Sequence, residues 1–376
     1  MRRSRSLILW LSLSACTVGS GSDDVVADGE HCGDIVSDER WAAGIHTITC
    51  DVQIDGGHVE IEAGATLRFA ADASIQVGCQ GTGLGSLAAE GGEDAPITMV
   101  SSSGLSGHWN YVRFCDGADP TRNALRHTTI SGTGAYDNTT TPAGLVMDGT
   151  EVLVEHVTIE DSTGYGFSLR NGARFAAGST ALRTVGNART GWTTAASQGS
   201  VPGDGSYTGN DEDSIELYGG RVEMDDTWER LDVPVVFEGD VVIAGTDTLP
   251  AVLVLEPGTT LLFNGRGMSV GDNGQAGGLV AVGTEAAPIV LSAPGAPDPG
   301  AWEGIEITSD AVDAETIFEH TEIRYAKYGA KIRDASPAFD NVVFADSLYC
   351  GLYLLGESAP DVGNIRFEGN APGYCE

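Results

Sequence analysis

Lysine is nearly missing from this 376-residue chain: Lys327 and Lys331 are the only two, and basic residues of both kinds number 20 against 54 aspartates and glutamates, a formal net charge of −34. A surface this acidic repels nucleic acid and anionic lipid headgroups, so neither is an expected partner. No apolar run approaches the roughly 20 residues that a membrane-spanning helix requires. The CxxC spacing that marks many zinc sites is absent. Helical periodicity is scarce too. Apolar runs such as VEIEAGATLRF and AVLVLEPGTTLLF alternate or cluster for a few residues and then stop at a turn. With 52 glycines, 14 prolines and 41% hydrophobic residues, the chain is β-rich, turn-rich and large enough to bury a substantial core.

The N-terminus departs from this composition. Arg2, Arg3 and Arg5 precede an apolar stretch from Leu7 to Leu13, which is too short to cross a bilayer and has the layout of an export signal. Behind it, LSAC places Cys16 after a small pair, Ser14 and Ala15, and resembles a bacterial lipobox. The expectation is a signal peptide over 1–15, a lipid on Cys16, and a flexible polar tether over 16–30. Thr17 is not the aspartate associated with inner-membrane retention, so the expected location is the outer membrane or cell surface, with the membrane contacted through the lipid alone.

The rest of the chain repeats itself. EAGATLRF (62–69) matches EPGTTLLF (256–263), and LAAEGGEDAPITMVS (87–101) matches LVAVGTEAAPIVLSA (279–293). GHWNYVRF (107–114) then matches GAWEGIEI (300–307), and LRHTTI (125–130) matches FEHTEI (318–323). All four fall in one order at offsets of 192 to 194 residues. The expected layout is a first copy over about 45–195, an exposed loop over about 196–226 and a second copy over about 227–376. A shorter period runs inside the copies: HTEI, NVVF and NIRF open at His320, Asn341 and Asn364, while HTTI and HVTI open at His127 and His156. Units of this size without helices imply an all-β solenoid in which turns stack because none can bury its own apolar face.

The series "pGttL.F", "L.A.Gt...PI..tS", "W.gI.I" and "h.tI.y", found at 256–263, 279–292, 302–307 and 320–325, resembles bacterial secreted proteins with right-handed parallel β-helix repeats of the pectin-lyase-like architecture. The resemblance covers about residue 45 to the end and implies a fold more than an activity. Its glycines (Gly64, Gly91, Gly258, Gly283) suit tight turns, Pro96 and Pro288 suit strand entries, and Trp109 and Trp302 are expected to cover a coil edge or loop.

Cysteine usage fits an exported chain. With Cys16 set aside, six remain, and the second copy has Asp272 and Thr308 where the first has Cys79 and Cys115. Paired loss implies a Cys79–Cys115 bond, and proximity then suggests Cys32–Cys50 and Cys350–Cys375.

Candidate chemistry is sparse. Enzymes with the resembling fold use a basic residue beside acidic calcium ligands, or several aspartates on neighbouring turns. Lys327 and Lys331, with Arg324 and Arg333, form a basic patch without acidic partners at fixed spacing. Asp225-Asp226 and the GHW at 107–109 match only fragments of a hydrolase pattern. His127, His156 and His320 share a place with Asn341 and Asn364, which suits a turn position better than a metal site. NDEDS (210–214) and Asp204 offer hard oxygens, making Asp204, Asp211 and Asp213 calcium candidates; no cofactor other than calcium is expected. The expected function is a non-catalytic surface scaffold that binds a polysaccharide or surface protein; the alternative is a polysaccharide lyase or glycoside hydrolase.

Overall fold

The computed structural model describes residues 24–81, 83–134, 142–370 and 372–376. Cys16 and the expected signal peptide lie outside these residues. The described chain is all-β, with one short helix, Ala195–Gln198. Its strands assemble into long sheets in which every strand pairing is parallel. Strands alternate buried and less buried residues, as at Ala251–Leu255 and Thr260–Phe263, because successive side chains point to opposite faces of the strand.

The pairing shows how the chain winds. One sheet takes Asp24–Val26, Glu39–Trp41, His58–Glu62, Ser86–Glu90, Ala124–Arg126, Glu151–Glu155 and Arg174–Phe175, one strand from each pass of the chain. Between those visits, the 19-stranded sheet takes one long strand in each of the first two passes, such as Ile45–Ile54, and then two per pass in the first half, for example Thr66–Phe69 and Ile75–Val77, which both pair with Ile45–Ile54. Beyond residue 212 it takes only one, while two further sheets of seven and six strands supply the other sides. Parallel neighbours cannot be joined by a hairpin, so each strand pairs with one a full pass away. The inward residues form one continuous apolar cluster from Ile35 to Leu352.

The two halves repeat in detail. Trp109 and Trp302 are fully buried and stack on Phe69 and Phe263, with ring centroids 3.8 and 4.2 Å apart. Each indole N–H donates to a carbonyl 22 residues ahead, Trp109 to Ser131 at 2.8 Å and Trp302 to Arg324 at 2.7 Å. Both tryptophans therefore fill the interior, not a coil edge or loop as expected, because ring stacking and an internal carbonyl satisfy the indole there. Gly64 and Gly258 hold φ of 85° and 86°, which an L side chain resists. Gly91 and Gly283 are required differently: a Cβ at either would lie 2.6 Å from the carbonyl oxygen of His127 or His320, respectively.

Two expected boundaries move. The polar tether expected through residue 30 is already in strands from Asp24, since Asp24–Val26 pairs with Glu39–Trp41 and Gly29–Ile35 pairs with Ile45–Ile54. The loop expected over 196–226 is largely structured. Glu212–Leu217 pairs on both sides, with Arg189–Thr193 and Val235–Phe237. Tyr207 is fully buried and donates its hydroxyl proton to the Pro202 carbonyl. Glycine, serine and aspartate there serve turns between strands.

Candidate functional site

Because parallel strands stack in register, side chains at equivalent positions form rows along the outside of each sheet. On the first sheet one row runs Glu60, Ala88, Ala124, Leu153, and the next runs Glu62, Glu90, Arg126, Glu155. The small side chains of Ala88 and Ala124 leave a groove of about 410 Å³ bordered by His58, Glu90, Arg122 and Arg126. Arg126 spans three turns, pairing with Glu90 at 2.5 Å and Glu155 at 3.2 Å. On the other side His58 Nδ1 lies 2.8 Å from the Ser86 hydroxyl. The pKa of His58 is lowered by burial first and by Arg122 second. The rim loop is fixed by Asn123, whose Oδ1 accepts from the Leu87 amide.

A second surface gathers on the seven-stranded sheet of the second half. Tyr328 stacks against Tyr353 with centroids 4.9 Å apart and lies tilted against Tyr349 at 5.0 Å. They line a hollow of about 430 Å³ with Leu348, Pro372 and the C-terminal Glu376. Leu348 and Tyr349 are 47% and 48% exposed, so apolar and aromatic area faces solvent here. Both lysines of the chain lie alongside: Lys327 pairs with Glu303 at 2.6 Å and Lys331 with Glu306 at 3.0 Å. The basic patch read from the sequence thus has acidic partners one turn earlier, which linear spacing did not show. The tyrosines were missed as well, although YAKYGAK and LYCGLYL carry them. A further aromatic group, Tyr165 with Trp192, is bonded internally: the Tyr165 hydroxyl donates to Glu216 at 2.6 Å and accepts from Arg189 at 2.7 Å.

Two of the three aspartates expected to bind calcium, Asp204 and Asp213, accept hydrogen bonds that hold turns of the fold. Asp204 accepts from the Thr180 hydroxyl and the Ala181 amide. Asp213 accepts from the amides of Gly209 and Asn210, and the Asp211 amide donates to Asn187. The Asn210 side chain reaches Asn187 at 2.9 Å, a turn ladder that explains why NDEDS is rich in oxygen atoms. Asp204, Asp211 and Asp213 do not converge: among the described residues the one trio of ligand-bearing side chains within 4.8 Å is His127, Glu155 and His156. Asp225 accepts from the Val252 amide, and Asp226 pairs with Arg174 at 3.2 Å. His108 of the GHW sequence lies 3.3 Å from the Ser102 hydroxyl.

The cysteines come together as Cys32 with Cys50, Cys79 with Cys115 and Cys350 with Cys375, at Cα separations of 5.0, 5.0 and 6.1 Å. Three disulfides indicate an oxidising, extracytoplasmic environment. Among the described residues no helix is long and apolar enough to cross a membrane. No protein-family model, curated protein or solved structure matches this chain.

Proposed function

We propose that this chain is an exported right-handed parallel β-helix of two tandem half-copies in the pectin-lyase-like style, held at the outer envelope by a lipid on Cys16, and that it binds a glycan without cleaving it. The observation that carries the reading is the clustered Tyr328–Tyr349–Tyr353 surface beside two Lys–Glu pairs. Sugar rings present an apolar C–H face that packs on aromatic faces, and hydroxyls that exchange hydrogen bonds with paired charges. Stacked rungs repeat at roughly 4.8 Å, so an extended chain finds contacts on successive turns. The test is retention of the mature protein on a panel of acidic and neutral polysaccharides, compared with Tyr349→Ala and Tyr353→Ala. Loss of retention in both variants supports the reading, and unchanged retention refutes it. Replacing Cys16 with Ser tests the anchor separately: the protein leaves the membrane fraction if the cysteine is lipidated.

The groove beside Arg126 favours a second reading, a carbohydrate-active enzyme, because it collects Glu90, Arg126 and Glu155 from three adjacent turns together with His58. New reducing or unsaturated ends after incubation with those polysaccharides, absent from Arg126→Gln, would favour it over the binder.

A further inference from the structure

We infer that the corner formed by His127, Glu155 and His156 is a binding site for one first-row transition-metal dication of the zinc class. His127 and His156 occupy the same corner on successive turns, following Arg126 and Glu155, which pair across the sheet. Both take the left-handed conformation, with φ of 41° and 52°, and so do His320 and Asn341 at the matching corner of the second half, with φ of 44° and 53°. The backbone thus asks for a residue that tolerates positive φ, and asparagine satisfies it. Two successive histidines go beyond that demand.

Their shared backbone geometry aims the side chains alike, and the rings stack with centroids 4.7 Å apart and planes 16° apart. The Glu155 carboxylate joins them, so one donor atom from each residue lies within 4.8 Å of the other two. His127 and Glu155 are half-buried and His156 is exposed, so an ion has a path in from solvent. Arg126 pairs with Glu155 through Oε2 and holds that carboxylate in place, as an outer partner does for a ligating group. Tetrahedral zinc with bonds of about 2.0–2.1 Å needs donors roughly 3.3 Å apart, which modest ring rotation supplies. Two imidazoles and one carboxylate suit zinc, nickel or copper, whereas calcium requires six to eight oxygens. The remaining coordination position would be left to water. His320 provides an internal control: its neighbour on the next turn is Asn341, it lies 3.8 Å from Glu319, and no ligand-bearing trio forms there among the described residues.

The experiment titrates tag-free mature protein with Zn²⁺ by calorimetry and with Co²⁺ by visible absorption, which reports the coordination number and geometry. One ion per chain is expected. The double variant His127→Asn/His156→Asn, which borrows the residue found at Asn341, should weaken binding at least about tenfold while keeping the melting temperature of the metal-free protein. His320→Asn should bind as the unsubstituted chain does. Independently of any substitution, saturating Zn²⁺ should protect His127 and His156, and not His320, from acylation by diethylpyrocarbonate read by peptide mass spectrometry. Absence of saturable binding, binding unchanged in the double variant, or protection at other histidines alone overturns the inference.

Discussion

Replacing each buried tryptophan tests whether the two halves are built and stabilised alike. Trp109 and Trp302 are 0% and 1% exposed, so each buries nearly its whole side chain. An area of up to about 250 Å² at ~25 cal/mol/Å² sets a ceiling near 6 kcal/mol. Tryptophan-to-alanine changes in cores usually cost about 3–5 kcal/mol once partial collapse is allowed. The stranded carbonyl, Ser131 or Arg324, falls within that loss for alanine but stands alone for phenylalanine, where it costs about 1–3 kcal/mol. Stacked repeats couple mainly to their neighbours. Trp302→Ala should therefore raise hydrogen exchange around Phe263 and Arg324 and leave the segment around Phe69 protected, and Trp109→Ala should do the reverse. Urea unfolding supplies the free energies and exchange mass spectrometry the location. If Trp302→Phe costs as much as Trp302→Ala, or if either alanine variant loosens both halves equally, the account of these two stacks is wrong.

Acidification should weaken the N-terminal turns, because burial first and His46 second hold the His31 pKa down to about 4. The unfolded chain then binds a proton near pH 6.5 that the folded chain refuses, so the contribution is present above pH 6.5 and disappears towards pH 4. After screening it amounts to about 1–2 kcal/mol; His31→Gln should flatten this part of the melting profile, and an unchanged profile would argue against it. Millimolar calcium should leave the melting temperature unchanged, since Asp204 and Asp213 already bond backbone amides; a clear rise would restore the calcium loop. Removing Cys79 and Cys115 together should cost about 2–4 kcal/mol by freeing a 36-residue separation, measured as a lower urea midpoint under non-reducing conditions.

Much of this was legible in the linear chain because repeats record geometry twice. The Gly64/Gly258 and Trp109/Trp302 matches mark turn and core positions, and the substitution of Cys79 and Cys115 as a pair pointed to partners that lie 5.0 Å apart. The candidate sites were less legible. Tyr328, Tyr349 and Tyr353 read as scattered aromatics, since their contact depends on which strand lies one turn away. Asp204 and Asp213 read as cation ligands because a hydrogen-bonded turn and a metal loop draw on the same residues.

By itself the sequence determined the strand periodicity, the places where turns fall and the duplication, because alternation of apolar residues and obligatory glycines are local demands. Tertiary structure alone decided how the copies are phased. Thr260–Phe263 corresponds in sequence to Thr66–Phe69, yet it continues the column that starts at residues 33–35 and runs through residues 52–54, Ile75–Val77, Val112–Phe114, Ala143–Asp148, Tyr165–Arg170, Arg189–Thr193, Glu212–Leu217 and Val235–Phe237. The column from Thr66–Phe69 ends after Arg183–Val185 with a single bridge to Ser206. Backbone hydrogen bonds and an alternating in–out pattern are the same on every side of such a coil, so a strand of one side stacks equally well on another. The choice falls to the junction, where one column ends and the helix Ala195–Gln198 packs beside the new strand Gly220–Val222, the Ala195 amide donating to the Gly219 carbonyl.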